Sequence, residues 1–414
     1  MSSNKQRYDL IVIGGGAAGF FGAINAAEMS PGLRVFILEK STKLLSKVKV
    51  SGGGRCNVTH HCFSPASLSQ HYPRGQRQLK NLFHHFQVTE TVAWFEKRGV
   101  KLKAEEDGRM FPVTDDSQTI IDLFLKEADR FKIEIKLSHE VIRIEREEGQ
   151  YRIHTTHDQF LSAKVLVAMG GHNKIENYKW LAELGHGIVK PIPSLFTFND
   201  SEKEFISLMG VAVPNAEVKI AATKFSQQGA VLITHWGLSG PAVIKLSAWA
   251  ADYLHVQNYT FIALVNWTGL AETEIRKGLM TLKEANSKKQ IASSALFNLP
   301  KRLWEHLCIK AEIEDKKKWA DLPNKSINRL IELLYCCPFK IRGKTTFKEE
   351  FVTCGGVALT DVDLNTMESK KTPGIYFAGE VLNADGETGG FNFQAAWTTS
   401  YIAAKHITSP HLRQ

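Results

Sequence analysis

A continuous apolar run from Asp9 to Ile13 meets glycines at 14, 15 and 16, with another at Gly19. Few patterns restrict a fold more. The run is rich in β-branched residues, as in a strand buried on both faces of a parallel sheet. The G-x-G-x-x-G set falls at Gly14, Gly16 and Gly19, and a helical stretch follows from Phe20 to Met29. Arg34 to Leu38 reads as a second strand and ends in Glu39, 20 residues past Gly19. Gly14 allows the tight turn, Gly16 lets the backbone approach a pyrophosphate, and Gly19 lets helix and strand pack closely. The helix N-terminus offers N–H groups to phosphate. Glu39 is spaced to accept hydrogen bonds from an adenosine ribose, and an acid there favours free hydroxyls over a 2′-phosphate. This unit predicts a Rossmann-type dinucleotide site and does not by itself separate FAD from NAD.

Two further segments select FAD. Residues 47–59 read KVKVSGGGRCNVT, where three glycines between Ser51 and Arg55 give a backbone able to press against a planar or anionic ligand. Residues 374–393 read GIYFAGEVLNADGETGGFNF. Here a short strand, Ile375 to Ala378, runs into Gly379-Glu380, and Gly389 to Asn392 opens a final helix expected over Gln394 to Ile407. The acid suits ribityl hydroxyls, and the helix N-terminus suits the flavin edge where negative charge appears on reduction. Between them, Lys164 to Met169 running into Gly170-Gly171 is a return strand for the same sheet. Val141, opening another strand, is a candidate adenine contact. No second G-x-G-x-x-G occurs, so no separate nicotinamide domain of that type is expected.

At 414 residues, the chain suggests two or three domains. Leu10 to Ala27 imitates a signal anchor, but the glycines break it and the flanking charge is mixed. No other run reaches membrane-spanning length. The 6 cysteines show no C-x-x-C pair and no zinc-type spacing, so a reducing, cytoplasmic setting without a metal site is expected. Short apolar runs at 195–198, 216–221, 230–234 and 260–265 predict a mostly-β domain over 191–270. Helical spacing marks 271–335, with Pro300 and Pro323 just before helical runs. The net charge is +9, and residues 271–345 hold 16 Lys+Arg against 9 Asp+Glu. That stretch reads either as a solvated helical surface or as a face for a polyanion.

The motifs GGGAAG at 14–19, SGGGRCNVT at 51–59, THWGLSGPA at 234–242, FVTCGGVAL at 351–359 and the run at 367–397 resemble the BaiN/RdsA-type (YhiN-like) NAD(P)/FAD-dependent oxidoreductases nearly end to end. The resemblance implies an α/β chain with a glutathione-reductase-like FAD-binding Rossmann fold. It also implies an inserted mostly-β substrate domain and a small helical domain. The division expected is 1–190 with 346–414 for FAD, 191–270 for the β-rich part and 271–345 for the basic helical insert. Carried over by position, non-covalent FAD would be held by Gly14, Gly16, Ala18, Gly19, Glu39, Lys40, Lys47, Ser51, Gly52, Gly53, Arg55, Asn57, Val141, Gly170, Glu380, Gly390, Phe391 and Asn392. Many relatives follow the double glycine at 170–171 with Tyr-Pro and a small-residue loop, whereas this chain reads HNKIENYKWLAELGH.

A flavin reductase needs a proton source as well as a hydride. His235, after an apolar strand and before a glycine turn, is a candidate acid or a structural histidine. Cys56 is a candidate donor or a small buried thiol. Arg55 is a candidate for holding flavin or a substrate anion. The leading expectation is a C=C reductase fed by NAD(P)H. One branch of the family reduces uridine in ribosomal RNA to dihydrouridine, and the basic 271–345 stretch would then hold phosphate. The alternatives are a small-molecule oxidase or reductase acting on an amine or enone, and a non-enzymatic flavin-binding protein.

Overall fold

The computed structural model describes residues 7–293, 295–345 and 352–409. Residues 1–6, and Phe351 at the head of the 351–359 motif, lie outside that set. The chain forms two compact units, Met1–Pro193 with Lys348–Gln414, and Ser194–Phe347.

In the first unit, Arg7–Ile13 is the central strand. It pairs in parallel with Val35–Leu38 on one side and Gln159–Val167 on the other. Glu134–Lys136 extends one edge in parallel, and Ile375–Phe377 extends the opposite side. The short strands Glu368–Ser369 and Val362–Asp363 continue antiparallel beyond it. A hairpin of Val141–Glu147 and Gln150–Thr155 joins the early half of Gln159–Val167. Leu10, Ile11, Val12 and Ile37 are fully buried, as an unbroken apolar strand between covered faces requires.

The helix Ala17–Met29 starts directly after the glycine turn, three residues before the helical stretch expected from the sequence. Its residues from Ala18 to Ala27 are all buried, because the sheet covers one side and the final helix Phe391–Ile407 another. An apolar helix without a polar face is stable only in such a place. Its one buried amide, Asn25, donates to the Phe21 carbonyl (2.7 Å) and accepts from the Trp94 indole (3.2 Å).

The second unit is built on a closed antiparallel barrel. Its strands follow the order Thr197–Asp200, Gly237–Ser239, Ser226–Ile233, Ala212–Ile220, Thr260–Asn266 and Cys337–Thr345, which returns to the first. Two helices, Pro241–Trp249 and Ala251–Val256, lie within the stretch expected to be mostly β. Conversely, Cys337–Thr345 lies in the stretch expected to be helical. Its inward Cys337, Phe339 and Ile341 alternate with outward Pro338, Lys340 and Arg342. The helices Glu272–Ala285, Lys301–Lys310 and Asn324–Tyr335 share one core with the barrel, so 191–270 and 271–345 are not packed as separate bodies. Pro300 and Pro323 sit at the N-caps of the latter two helices. Trp304 and Trp319 are buried in that core. Among the described residues, no helix is long and apolar enough to cross a membrane.

Candidate functional site

The parallel strands of the first unit end level with one another. Ile13 pairs with Leu38 and with Val167, and Val167 pairs with Phe377. The next residues along each strand therefore emerge at one edge: Gly14, Glu39, Ala168 to Gly170, and Ala378 to Glu380. The chain leaves Arg7–Ile13 toward one side for its next strand and fills the other side later, which makes this edge the switch point of the sheet. Ligands of open α/β sheets bind in that crevice.

Its glycines divide into two kinds. A Cβ at Gly19 would lie 1.9 Å from the Gly14 carbonyl oxygen, so Gly19 is required by the protein's own backbone. Gly16, with extended φ −95° and ψ −169°, would place a Cβ in open space. Gly16 is the N-cap of Ala17–Met29, a helix with no side-chain cap and no acid in its first turn. Such an end suits an anion supplied by a ligand. Glu39 holds the turn from the second strand, its carboxylate accepting from Gly15 N (2.7 Å) and Ser41 N (2.8 Å). Val141 is buried in the hairpin two residues past His139, whose N–H bonds the Glu39 carbonyl.

Across the edge, Glu380 accepts from Lys47 Nζ (2.6 Å) and Thr353 N (3.1 Å). Lys40 Nζ lies 3.4 Å from His172 Nδ1, and Asn177 reaches the same nitrogen at 2.9 Å. Burial, helped by the charges of Lys40 and Lys47, pushes His172 down to about 4, so it is neutral near pH 7. His172, Asn177 and Tyr178 lie in the segment that follows Gly170-Gly171, and the Tyr178 hydroxyl accepts the His172 N–H (3.0 Å).

The glycine loop at 51–54 and the final helix form one assembly. Ser46–Gly54 is broken at Ser51, with Gly52 and Gly53 left-handed. Just after it, Asn57 accepts from Gly390 N (3.0 Å) and donates to Thr59 O (2.9 Å) when its amide is oriented to satisfy its neighbours. Thr59 Oγ1 donates to Gln394 (2.6 Å), and the Trp397 indole donates to Val58 O (2.9 Å). Asn392 brackets Gly386, accepting from its N–H (2.8 Å) and donating to its carbonyl (2.9 Å). The side chains of Asn57 and Asn392 thus hold backbone in place. The two chain ends are knit as well: Ser400 donates to Ala18 O (2.9 Å), and Gly379 N donates to Thr399 (2.9 Å).

The catalytic candidates separate. The Arg55 guanidinium pairs with Glu105 at 2.5 Å and lies 3.9 Å over the Phe111 ring, so it is committed to local structure. Cys56 is fully buried, and burial pushes its thiol up to about 12 despite a hydrogen bond with Ser51. It stays protonated at neutral pH, and proteins keep such thiols inert. Iodoacetamide treatment of the native protein is expected to leave Cys56 unmodified by mass spectrometry, with modification only after unfolding. His235 lies in the second unit, exposed on the turn between Ser226–Ile233 and Gly237–Ser239, with its ring against Trp236.

The sequence reading missed two pairs. Arg74 forms a two-pronged ion pair with Asp385, whose side chain is 1% exposed. His71 Nδ1 lies 3.2 Å from Glu387, whose side chain is 7% exposed. The acids stand inside the quoted 374–393 motif, but nothing in the sequence links them to partners more than 300 residues away.

The model of the HI0933-like protein Rossmann domain matches residues 8–406. A ribosomal RNA dihydrouridine synthase of Haemophilus influenzae is 28% identical, covering 98% of this chain and 99% of its own. A 3-dehydro-bile acid delta(4,6)-reductase of Clostridium scindens is 26% identical, covering 95% and 97%. In fold, the chain is similar to a 3-ketosteroid-delta4-(5alpha)-dehydrogenase of Rhodococcus jostii, with TM-score 0.52, 12% identity and 98% coverage of both chains. The chain belongs to the HI0933-like family, an oxidoreductase built on a Rossmann-type FAD-binding domain.

Proposed function

We propose that the protein is an FAD-dependent reductase that takes a hydride from NAD(P)H and adds it to a C=C bond, with uridine in ribosomal RNA as substrate and dihydrouridine as product. The observation that carries the flavin part is the level row of strand ends at Gly14, Glu39, Gly170 and Glu380. Bound FAD would supply the hydride transfer. The chain's residues hold it: Gly16 leaves room for pyrophosphate at a helix N-terminus, Glu39 stands by the ribose, and Lys40, Lys47, Ser51, Gly52 and Gly53 face the middle of the cofactor. Gly390 and Phe391 open the helix at its flavin end. The residues present fit this group, because Gly16, with an ordinary extended backbone, leaves open space at a helix N-terminus that no side chain caps.

The RNA part is supported by the name of the H. influenzae relative and by charge in the second unit. Residues 286–291 and 316–320 lie side by side, with Ile291 N donating to Lys317 O and Trp319 N to Lys289 O. This gathers Lys288, Lys289, Lys316, Lys317 and Lys318, none with an ion-pair partner among the described residues, beside Glu314 and Asp315. Elsewhere in 271–345, Lys310, Lys340, Arg276 and Arg329 are paired with acids. Each lysine that neutralises a phosphate of a single strand adds about 0.7 to the salt slope of binding. Replacing the five by Gln is expected to weaken RNA binding at least about tenfold at moderate salt and to flatten that slope.

The alternative is a small-molecule enone reductase, favoured by the name of the C. scindens relative. Anaerobic mixing with NADPH should bleach the flavin band. Ribosomal RNA lacking the modification should then restore it, less well at high salt. Reoxidation by a steroid enone alone, without RNA turnover, would replace the RNA reading.

A further inference from the structure

The loop at 383–390 is clamped by a segment far away in sequence. Arg74 holds Asp385, His71 Nδ1 holds Glu387, and the Glu387 N–H donates to the His71 carbonyl (2.9 Å). The His71 ring stacks on Phe391 at 4.2 Å and 12°, and His60 stacks on the same ring at 4.5 Å. Tyr72 donates to the Phe391 carbonyl (2.6 Å). Phe391 is the first residue of the final helix, next to Gly390, whose N–H is taken by Asn57. The imidazole of His71 therefore lies in ring contact with Phe391, one of the two residues proposed to open the helix at the flavin end of the cofactor.

A clamp alone would not require an exposed imidazole. Glu387 is almost wholly buried, whereas the His71 side chain is 34% exposed. With Nδ1 on the carboxylate, Nε2 has no hydrogen-bond partner among the described residues. A buried acid behind one nitrogen and solvent before the other is the arrangement that fixes an imidazole's tautomer and orientation. Of the other ionisable groups, His60 has its ring centroid 5.9 Å from that of His71, and Arg74 and Asp385, further along the two segments, pair with each other.

We propose that His71 is the proton donor of the reduction and that Glu387 is its positioning residue. This rests on the C=C reductase reading above. One carbon of the double bond receives the hydride that originates from NAD(P)H. The other receives the proton from His71 Nε2, which water replaces. Glu387 keeps its charge throughout and holds Nδ1–H.

The test separates steps that need a proton donor from those that do not. His71→Asn and His71→Gln, loaded with FAD, should bleach with NADPH and reoxidise with ferricyanide, a one-electron acceptor that takes no proton, within twofold of wild type. Their turnover of unmodified ribosomal RNA, or of a steroid enone if that is the substrate, should fall by about a hundredfold or more. The alkaline fall in wild-type rate should vanish in both, and Glu387→Gln should lower kcat with KM unchanged. Full C=C turnover in either His71 variant overturns the proposal. So does loss of turnover in His235→Asn with His71→Asn unaffected. A wild-type enzyme that reduces the enone but not RNA refutes the RNA reading while the enone rates still decide His71. A wild-type enzyme that reduces neither removes both.

Discussion

A Gly16→Val variant should fold, purify without colour and refuse FAD, whereas Gly19→Ala should be damaged as a protein. The two glycines belong to one motif, so the contrast is a sharp one. At Gly16 the backbone is extended, a conformation β-branched residues favour, and no protein atom beyond its chain neighbours lies within 4 Å of the added Cβ. The unfolding free energy of the apoprotein should fall by at most about 1 kcal/mol, the cost of an apolar N-cap. The isopropyl group would occupy the space assigned to pyrophosphate, and FAD affinity should fall at least about a hundredfold, or about 2.7 kcal/mol. At Gly19 the Cβ would lie 1.9 Å from a backbone oxygen that cannot rotate away. Helix and strand must separate, at about 3 kcal/mol or more. Urea unfolding of both apoproteins, with flavin fluorescence titration, checks the pair. A colourful, tight-binding Gly16→Val protein would contradict the placement of the phosphates.

Arg98→Ala should cost about 3–5 kcal/mol of stability without touching the cofactor site. Arg98 is 4% exposed. Its guanidinium reaches Glu127 at 3.2 Å, Glu28 at 2.5 Å and the Trp94 carbonyl at 3.2 Å, while lying 3.9 Å over the Trp94 ring. Truncation leaves Glu127, 5% exposed, with only Arg130 as an ionic partner among the described residues. Trp94 in turn packs on Phe21 and bonds Asn25, so the loss reaches the helix behind the glycine turn. The network also gives stability a pH dependence. Burial raises Glu28, but the Lys97 hydrogen bond and the Arg98 charge outweigh it, so its folded pKa is lowered. A lowered carboxylate contributes stability above its unfolded value of about 4.5, and that contribution fades as the pH falls through the folded value. Denaturant midpoints of wild type should drop in acid more than those of Arg98→Ala.

The nucleotide half was legible because its constraints are local. Strand, glycines, helix and acid follow one another, and Gly19 answers to the carbonyl of Gly14 five residues before it. The barrel was legible only in part. Thr197–Asp200, Ala212–Ile220, Ser226–Ile233 and Thr260–Asn266 overlap the expected runs. Gly237–Ser239 is too short to show a period, and Cys337–Thr345 hid its alternation inside a lysine-rich stretch. Pro241–Trp249 was masked by the strands around it, although Gly240-Pro241 is an ordinary helix opening. At the site, Gly14, Glu39, Gly170 and Glu380 follow the level strand ends, while several other side chains implied by the resemblance serve the protein. Arg55 is spent on Glu105, Asn57 on Gly390 and Asn392 on Gly386. His71 and Arg74 had no sequence signal, because a partner's acid is recognised only once the chain has folded.

The central claim is that the row of strand ends in the first unit holds FAD. The direct measurement is to denature the purified protein, identify the released chromophore and compare its amount with that of the chain. Release of FAD in equimolar amount, with nothing yellow left on the polypeptide, is the predicted result. A protein that is colourless as isolated and remains so after incubation with FAD would contradict the account.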